Sequence, residues 1–571
     1  MSEHEHTDVV VVGSGFGGAV SAYRLAEAGR RVCVLERGRA YPPGSFPRKP
    51  HEMRANFWDP AHGLHGLFNA WSFRGIEAIV SAGLGGGSLI YANVLIRKDE
   101  RWFVADEPLR SGAERWPIDR ATLDPHYDRV ERMLGATPYP LSAPGFALPK
   151  TLAMRDAAAR AGLDWTLPNL AVSFAVDGRP VIGEVLPDGD HPNLYGLPRR
   201  TCRLCGECDV GCNDGSKNTL DLTYLSAAVR AGAELRTRSD VRRIAPRAGG
   251  GFEVVYVEHR EEDEGRAIPE VQRPHVTITC DRLVLAAGAI GTTSLLLRNR
   301  SAFPHLSAAL GTRFCGNGDL LGLAIPTPGR AGGRDAYRVI DSSRGPVITS
   351  AVRVPDVVDG GAVRGHYVED AGYPYFLDWI VETRAAPSAF GRLARFAYRR
   401  AAARLTGDPR SDLSAEFGEL FGRARVSSAS LPLLGMGRDV PDGVMRLRRG
   451  HLDVDWTIAT SRAYFAGVRA TMRALADALD ADYHDNPTWR LKRVITVHPL
   501  GGAPMARHPD DGVVDAYGEV FHYPGLHVVD GAVMPGPVGP NPALTIAAFA
   551  DRAADQVLAT SGRPARRERV A

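Results

Sequence analysis

The sequence predicts an α/β protein in which a dinucleotide-binding domain of βαβ type is interrupted by a second domain. Three observations carry that expectation. The chain opens on Asp8-Val9-Val10-Val11-Val12-Gly13-Ser14-Gly15-Phe16-Gly17-Gly18, an apolar strand that breaks into a glycine turn. At 571 residues it exceeds the length at which one hydrophobic core stops growing. Residues 336 to 484 then change character, with strand-like pieces followed by a long helical pattern from Ala459 to Leu479.

Taken in order, the four valines read as a buried parallel strand and Ala19 to Ala28 as a helix that Gly29 ends. Arg31 to Glu36 reads as the second strand. In such a unit Gly13 permits the tight turn, Gly15 lets the backbone approach a pyrophosphate, and Gly18 lets helix and strand pack closely. Glu36 stands at the spacing of an acidic residue that holds a ribose hydroxyl. With Arg37 beside it, the acid still favours a free 2′-hydroxyl over a 2′-phosphate, which NAD and FAD both offer. A second glycine loop follows at Ser81 to Ser88. Strand-like runs recur at Phe252 to Val257, Val276 to Thr279 and Leu283 to Gly288, and the acidic stretch Glu258 to Glu264 reads as a solvated hairpin tip. The basic tail Arg563 to Val570 is expected to be disordered.

Composition narrows the function classes. Apolar residues at 44% and charged residues at 24% are ordinary for a soluble enzyme. A net charge of +3 without a dense Lys/Arg cluster gives no footprint for nucleic acid. No apolar run approaches the length of a bilayer span, and the first strand begins too early for a signal peptide, so a cytoplasmic enzyme is expected.

Further segments carry a resemblance: Gly85-Gly86-Gly87-Ser88-Leu89-Ile90-Tyr91-Ala92-Asn93, Leu285 to Thr293, Gly316-Asn317-Gly318-Asp319, His498-Pro499-Leu500-Gly501-Gly502, and Asp530-Gly531-Ala532 through Asn541-Pro542-Ala543-Leu544-Thr545. In this order and over nearly the whole chain they resemble the glucose-methanol-choline (GMC) oxidoreductase family, in its bacterial cholesterol oxidase-like branch. The resemblance implies FAD, held noncovalently in a doubly wound nucleotide domain, beside an α+β substrate domain built on an antiparallel sheet. It implies that Gly86, Ser88 and Asn93 lie near the flavin ring or pyrophosphate, that Asp530, Gly531 and Thr545 line the ribityl and ring side, and that Phe16, Gly17 and Gly288 belong to the cofactor turns. The implied segments are 1–115, 195–335 and 490–560 for the FAD-binding domain, 116–194 and 336–489 for the substrate domain or its connection, and 561–571 for the tail.

Taking two electrons from an alcohol requires a base for the hydroxyl proton and an acceptor for the hydride. Histidine suits the base because its ordinary pKa lies near neutrality. His498 stands where strand-like Val494 to Val497 meets a Pro/Gly turn, and Asn541 lies between two prolines that stiffen its backbone. Both fall on the family's catalytic positions. Glu369, in Tyr367 to Pro374, resembles the glutamate with which cholesterol oxidases shift the steroid double bond; a solvated acidic turn is the alternative.

Two features stay open at this stage. Cys202-x-x-Cys205-x-x-Cys208-x-x-x-Cys212 has ferredoxin-like spacing, and either an iron–sulfur cluster, a zinc site or a reduced structural loop satisfies it. Arg384, Arg392, Arg395, Arg399, Arg400 and Arg404 interleave with Phe390, Leu393, Phe396 and Leu405, as in a helix resting on an anionic membrane or packed on its own domain. The expected activity is oxidation of a sterol or another bulky hydrophobic alcohol, with oxygen or another electron acceptor. The alternatives are a dehydrogenase for a different alcohol, serving a quinone or protein, and a non-catalytic electron-transfer flavoprotein.

Overall fold

Four consecutive valines leave no polar side chain to face water, so their strand must be covered on both faces. In the computed structural model, which describes residues 5–104, 114–187, 192–327, 338–374, 394, 397–398 and 425–560, that strand is Glu5–Val12, inside a seven-stranded sheet. The order is Glu234–Arg236, Val32–Leu35, Glu5–Val12, His275–Leu285, Phe252–Glu258, Ser239–Pro246. The first four run parallel, and the last two are antiparallel. Leu526–Val528 adds a further parallel strand to the end of His275–Leu285. The two strand-like runs around Asp281 are one strand, because main-chain pairing with Glu5–Val12 continues through the charged pair Asp281-Arg282.

Helices Phe16–Glu27, Arg120–Met133 and Ala543–Thr560 lie together on this side of the molecule. Their shared interface is tied by Asp551, which pairs with Arg24, His126 and Arg129. Leu123, Tyr127 and Val130 share one apolar core with Val9 to Val12, so the start of the 116–194 segment packs with the nucleotide domain. The stretch Glu258 to Glu264 is not a simple solvated tip: His259 and Asp263 are buried, and Glu264 pairs with Arg238 at 2.6 Å.

The second sheet has six strands, all antiparallel, in the order Ala481–Asp485, Leu320–Pro326, Leu431–Gly437, His366–Asp370, Ala351–Val354, Asp164–Thr166. Leu320–Pro326 belongs here rather than to the nucleotide-binding segment; its apolar run is paired on both sides. Helix Arg462–Ala478 buries Tyr464, Phe465, Val468, Met472 and Leu475 against the face that carries Val368, Leu431 and Leu433. Strand alternation sends Tyr367, Leu434 and Met436 to the opposite face. Glu369 sits on that opposite face, in register with Leu434 and Ala351.

Strand Val494–Thr496 pairs with Ile76–Ser81 and leads directly into the His498 turn. Among the described residues no helix is long and apolar enough to cross a membrane. The arginines and apolar residues named between Arg384 and Leu405 and the 561–571 tail lie outside the described residues.

Candidate active site

The opening turn forms a cradle with one open wall. Gly13 has φ +94, a conformation that favours glycine, and a Cβ there would meet the Ala286 carbonyl. Cβ atoms at Gly17 and Gly18 would run into the Val529 and Gly13 carbonyls, so those two glycines serve packing. Gly15 differs: nothing lies within 4 Å of its Cβ position, at the N-terminus of helix Phe16–Glu27. Such an open face beside a helix N-terminus suits a pyrophosphate. The second loop lies against it, since a Cβ on Gly86 would sit 2.6 Å from the Gly15 Cα.

Glu36 is buried and accepts hydrogen bonds from Ser14 N at 3.0 Å, Ser14 Oγ at 2.6 Å and Gly38 N at 2.9 Å. Arg37 is occupied elsewhere, over the Trp58 ring and donating to Asn69. Phe16 packs edge-on against Tyr91. Asn93 is fully buried with φ +71, and neither its amide oxygen nor its nitrogen has a partner. Unpaired buried amides are costly, and these atoms suit the ring edge of a bound flavin. The residues present therefore fit FAD: an open glycine face for phosphate, a buried acid for ribose and a free amide for the ring.

Three expected contacts hold the cradle together through their side chains. The Ser88 hydroxyl donates to Gly85 O and accepts from Leu220 N. Asp530 accepts from Gly288 N, Thr292 Oγ1 and Ala532 N, while burial raises its pKa to about 6. The Thr545 hydroxyl pairs with Tyr127 Oη at 2.8 Å. What these three can offer a cofactor is mainly the backbone they organise.

His498 reaches this cradle along a backbone ladder. Gly501 N donates to Gly531 O, Ala503 N to Ala532 O, and Asp530 links that turn to Gly288. Leu500 and Cys315 pair in both directions, which brings the Gly316–Asp319 segment alongside. There Asp319 accepts from His498 Nδ1 at 2.8 Å, Val497 N at 2.9 Å and Thr496 Oγ1 at 2.9 Å. With Nδ1–H committed to a buried carboxylate, His498 keeps Nε2 as its proton acceptor. Asp319 lies 179 positions away in sequence, and sequence reasoning did not single it out. The only signal was its place at the end of Gly316-Asn317-Gly318-Asp319.

Asn541 is buried and donates through Nδ2 to Glu369 Oε2 at 3.3 Å, leaving its own Oδ1 unpartnered. Glu369 is fully buried on strand His366–Asp370, so the solvated-turn alternative fails. Burial pushes its carboxyl up to about 8, with the charges of Asp370 and Asp319 adding to the rise and the Asn541 bond opposing it; Oε1 has no partner. The arrangement offers a positioned proton acceptor, an amide and a second carboxyl that is protonated near neutrality.

The cysteine loop does not form a metal cage. Among the described residues no three cysteines bring their sulfurs within 4.8 Å of one another, so the tetrahedral zinc geometry is absent. Cys202 lies in an apolar cluster with Tyr139, Phe146 and Phe174, and its Sγ accepts from Leu204 N. Burial pushes Cys205 up to about 12 and raises Cys202 and Cys208. Lys217 Nζ donates to the carbonyls of Cys208, Leu89 and Tyr91, tying this loop to the second glycine loop. At the far end Asn213 exchanges two hydrogen bonds with the Phe46 backbone, next to Cys212. The loop is a packed support, and the iron–sulfur expectation drawn from its spacing finds no support.

Comparison with known proteins agrees with this layout. Residues 198–316 and 440–550 match the family description GMC oxidoreductase, and residues 11–73 match an NAD(P)-binding Rossmann-like domain. A cholesterol oxidase of Mycobacterium tuberculosis is 32% identical over 96% of this chain and 90% of its own length. A cholesterol oxidase of Acinetobacter baumannii is 28% identical over 96% and 93%. A 2-methyl-1,2-propanediol dehydrogenase of Mycolicibacterium austroafricanum is 24% identical over 97% and 95%. Among solved structures, pyridoxine 4-oxidase from Mesorbium loti shares the fold, with a TM-score of 0.54 and 18% identity over 97% of this chain and 99% of that one.

Proposed function

The chain belongs to the GMC oxidoreductase family, in its cholesterol oxidase-like branch, and is an FAD-dependent alcohol oxidoreductase; from that premise we propose that it oxidises the hydroxyl of a sterol or another bulky hydrophobic alcohol, with His498 as base. The observation that carries this reading is that one segment bonds both arms: Asp319 accepts from His498, and Asn317 bonds Gly539 and Pro540, next to the Asn541 that donates to Glu369. Bound FAD supplies the two-electron acceptor for the carbon-bound hydrogen. His498 takes the hydroxyl proton on Nε2, and the Asp319 carboxylate holds the opposite ring nitrogen and stabilises the charge that results. The Asn541 amide, stiffened between Pro540 and Pro542, orients the same hydroxyl. Gly13, Gly15, Gly86 and Glu36 would hold the dinucleotide, and the unpartnered Asn93 amide would bond the ring.

A sterol is favoured over a small diol by Glu369. A second buried carboxyl is superfluous for oxidation, yet it suits the proton shift that moves a double bond into conjugation with a new ketone. Glu369 would take a proton from one carbon and return it to another, with no net change in protons. Its likeness to the cholesterol oxidase glutamate and the two relatives named cholesterol oxidase support this. The dehydrogenase reading keeps one support, the relative named 2-methyl-1,2-propanediol dehydrogenase.

Anaerobic mixing of the holoenzyme with a 3β-hydroxysteroid tests the proposal. The flavin absorbance is expected to bleach saturably with steroid and far more slowly with a short diol. Bleaching by the diol alone would overturn the sterol assignment. Admitting oxygen then distinguishes acceptors: consumption of oxygen supports an oxidase, and turnover only with an added quinone supports a dehydrogenase.

A further inference from the structure

His498 and Asn541 come from separate stretches of chain, and a third stretch, Gly316–Asp319, bonds His498 through Asp319 and the backbone just before Asn541 through Asn317. We propose that Asn317 is a positioning residue that sets Asn541 relative to His498, so that Gly316–Asp319 works as one clamp across the two arms. This rests on the roles proposed above for His498 and Asn541.

Asn317 is completely buried and has φ +53, a left-handed conformation that asparagine tolerates better than most side chains. Its amide is fully used on the Asn541 loop. Nδ2 donates to Gly539 O at 3.2 Å and Pro540 O at 3.1 Å, and Oδ1 accepts from Gly539 N at 2.9 Å. Because Pro540 and Pro542 restrict the backbone on either side of Asn541, fixing the 539–540 peptides fixes the direction of the Asn541 side chain. Two residues further on, Asp319 holds His498.

The segment has no freedom to slide. Asn317 O accepts from Gly437 N at 2.9 Å, Gly316 N donates to Asp439 Oδ2, and Tyr464 Oη donates to Gly318 O. A Cβ on Gly318 would collide with the Tyr464 hydroxyl. Lys98 independently holds the beginning of the same loop through Pro537 O and Val538 O. Loss of the Asn317 side chain is therefore expected to loosen the Asn541 end of the loop and leave the rest in place.

Asn317→Gly is the informative variant, because glycine accepts the left-handed backbone while deleting the amide. With steroid substrate kcat is expected to fall about tenfold to a hundredfold, the scale of a small misplacement of a catalytic group, with KM and flavin content little changed. The decisive readout is a double-mutant cycle. In an Asn541→Ala background Asn317→Gly should cost less than about twofold more, whereas its effect should add to that of Asp319→Asn. Wild-type activity in Asn317→Gly, or full additivity with Asn541→Ala, would overturn the proposal. If the glycine variant does not fold, Asn317→Asp takes its place in the cycle: it keeps the acceptor for Gly539 N and loses both donated bonds. Should Asn541→Ala itself leave kcat unchanged, the functional reading fails, not this clamp alone.

Discussion

Two buried carboxylates of the site, one just before strand Leu320–Pro326 and one on strand His366–Asp370, are treated in opposite ways. Asp319 accepts three hydrogen bonds, one of them from His498. Glu369 accepts one long bond from Asn541, keeps Oε1 unpartnered and has its carboxyl pushed up to about 8. A carboxylate held by three donors is rigidly placed, suited to orienting an imidazole. One left underbonded in a fully buried strand is poised to change protonation. Under the proposed function the two carboxyls serve two steps, orientation of the base during oxidation and movement of a proton afterwards.

The largest effect should come from His498→Ala. Flavin reduction by alcohol under anaerobic conditions is expected to slow about a hundredfold to ten-thousandfold, the usual contribution of a positioned base. Retention of near-normal reduction would break the comparison at its root, since Asp319 would then have nothing to orient. Asp319→Asn comes next, keeping the shape and removing the charge. Stopped-flow reduction should slow about tenfold to a hundredfold, the range seen when the orienting partner of a functional histidine is changed.

Glu369→Gln should barely touch oxidation while abolishing enone formation, read by product absorbance. Because the folded carboxyl is raised to about 8, the basic form grows as pH rises through that value. Isomerisation in the unaltered enzyme should therefore increase across this range, and oxidation should not follow it. Parallel pH profiles for the two steps would dissolve the distinction.

The smallest effect concerns a third buried carboxyl, Asp439, which has one partnered and one unpartnered oxygen. Burial raises it from 3.8 to about 8, so between those values the folded chain holds a proton that the unfolded chain has released. Its contribution to stability consequently falls as pH rises. Asp439→Asn should flatten that slope, seen as a smaller loss of Tm between about pH 5 and about pH 9. An unchanged slope would show that an underbonded carboxyl in this site does not titrate as described.

Much of the nucleotide half was legible because it is local. A valine run, a glycine turn, a helix and an acid at fixed spacing occupy fewer than forty consecutive residues, and neighbouring positions dictate their geometry. His498 and Asn541 were legible through the motifs around them. Side-chain roles were less so: Ser88, Asp530 and Thr545 all sit at the cradle, yet their polar groups are spent on Leu220, Gly288 and Tyr127, which only folding brings near. The cysteine spacing was misleading for the same reason, since spacing does not reveal whether sulfurs converge or one is packed beside Phe174.

By itself, the sequence determined the family and the dinucleotide turn and pointed to His498 as the base to propose, because each is written in a short stretch whose conformation is set by its own glycines and prolines. Tertiary structure alone decided that Asp319 holds His498, that Glu369 is buried beside Asn541, and that Leu320–Pro326 joins the antiparallel sheet. Those are pairings across tens to hundreds of residues. Their energies depend on burial and on the absence of competing water, and neither quantity exists until the two sheets close over the site.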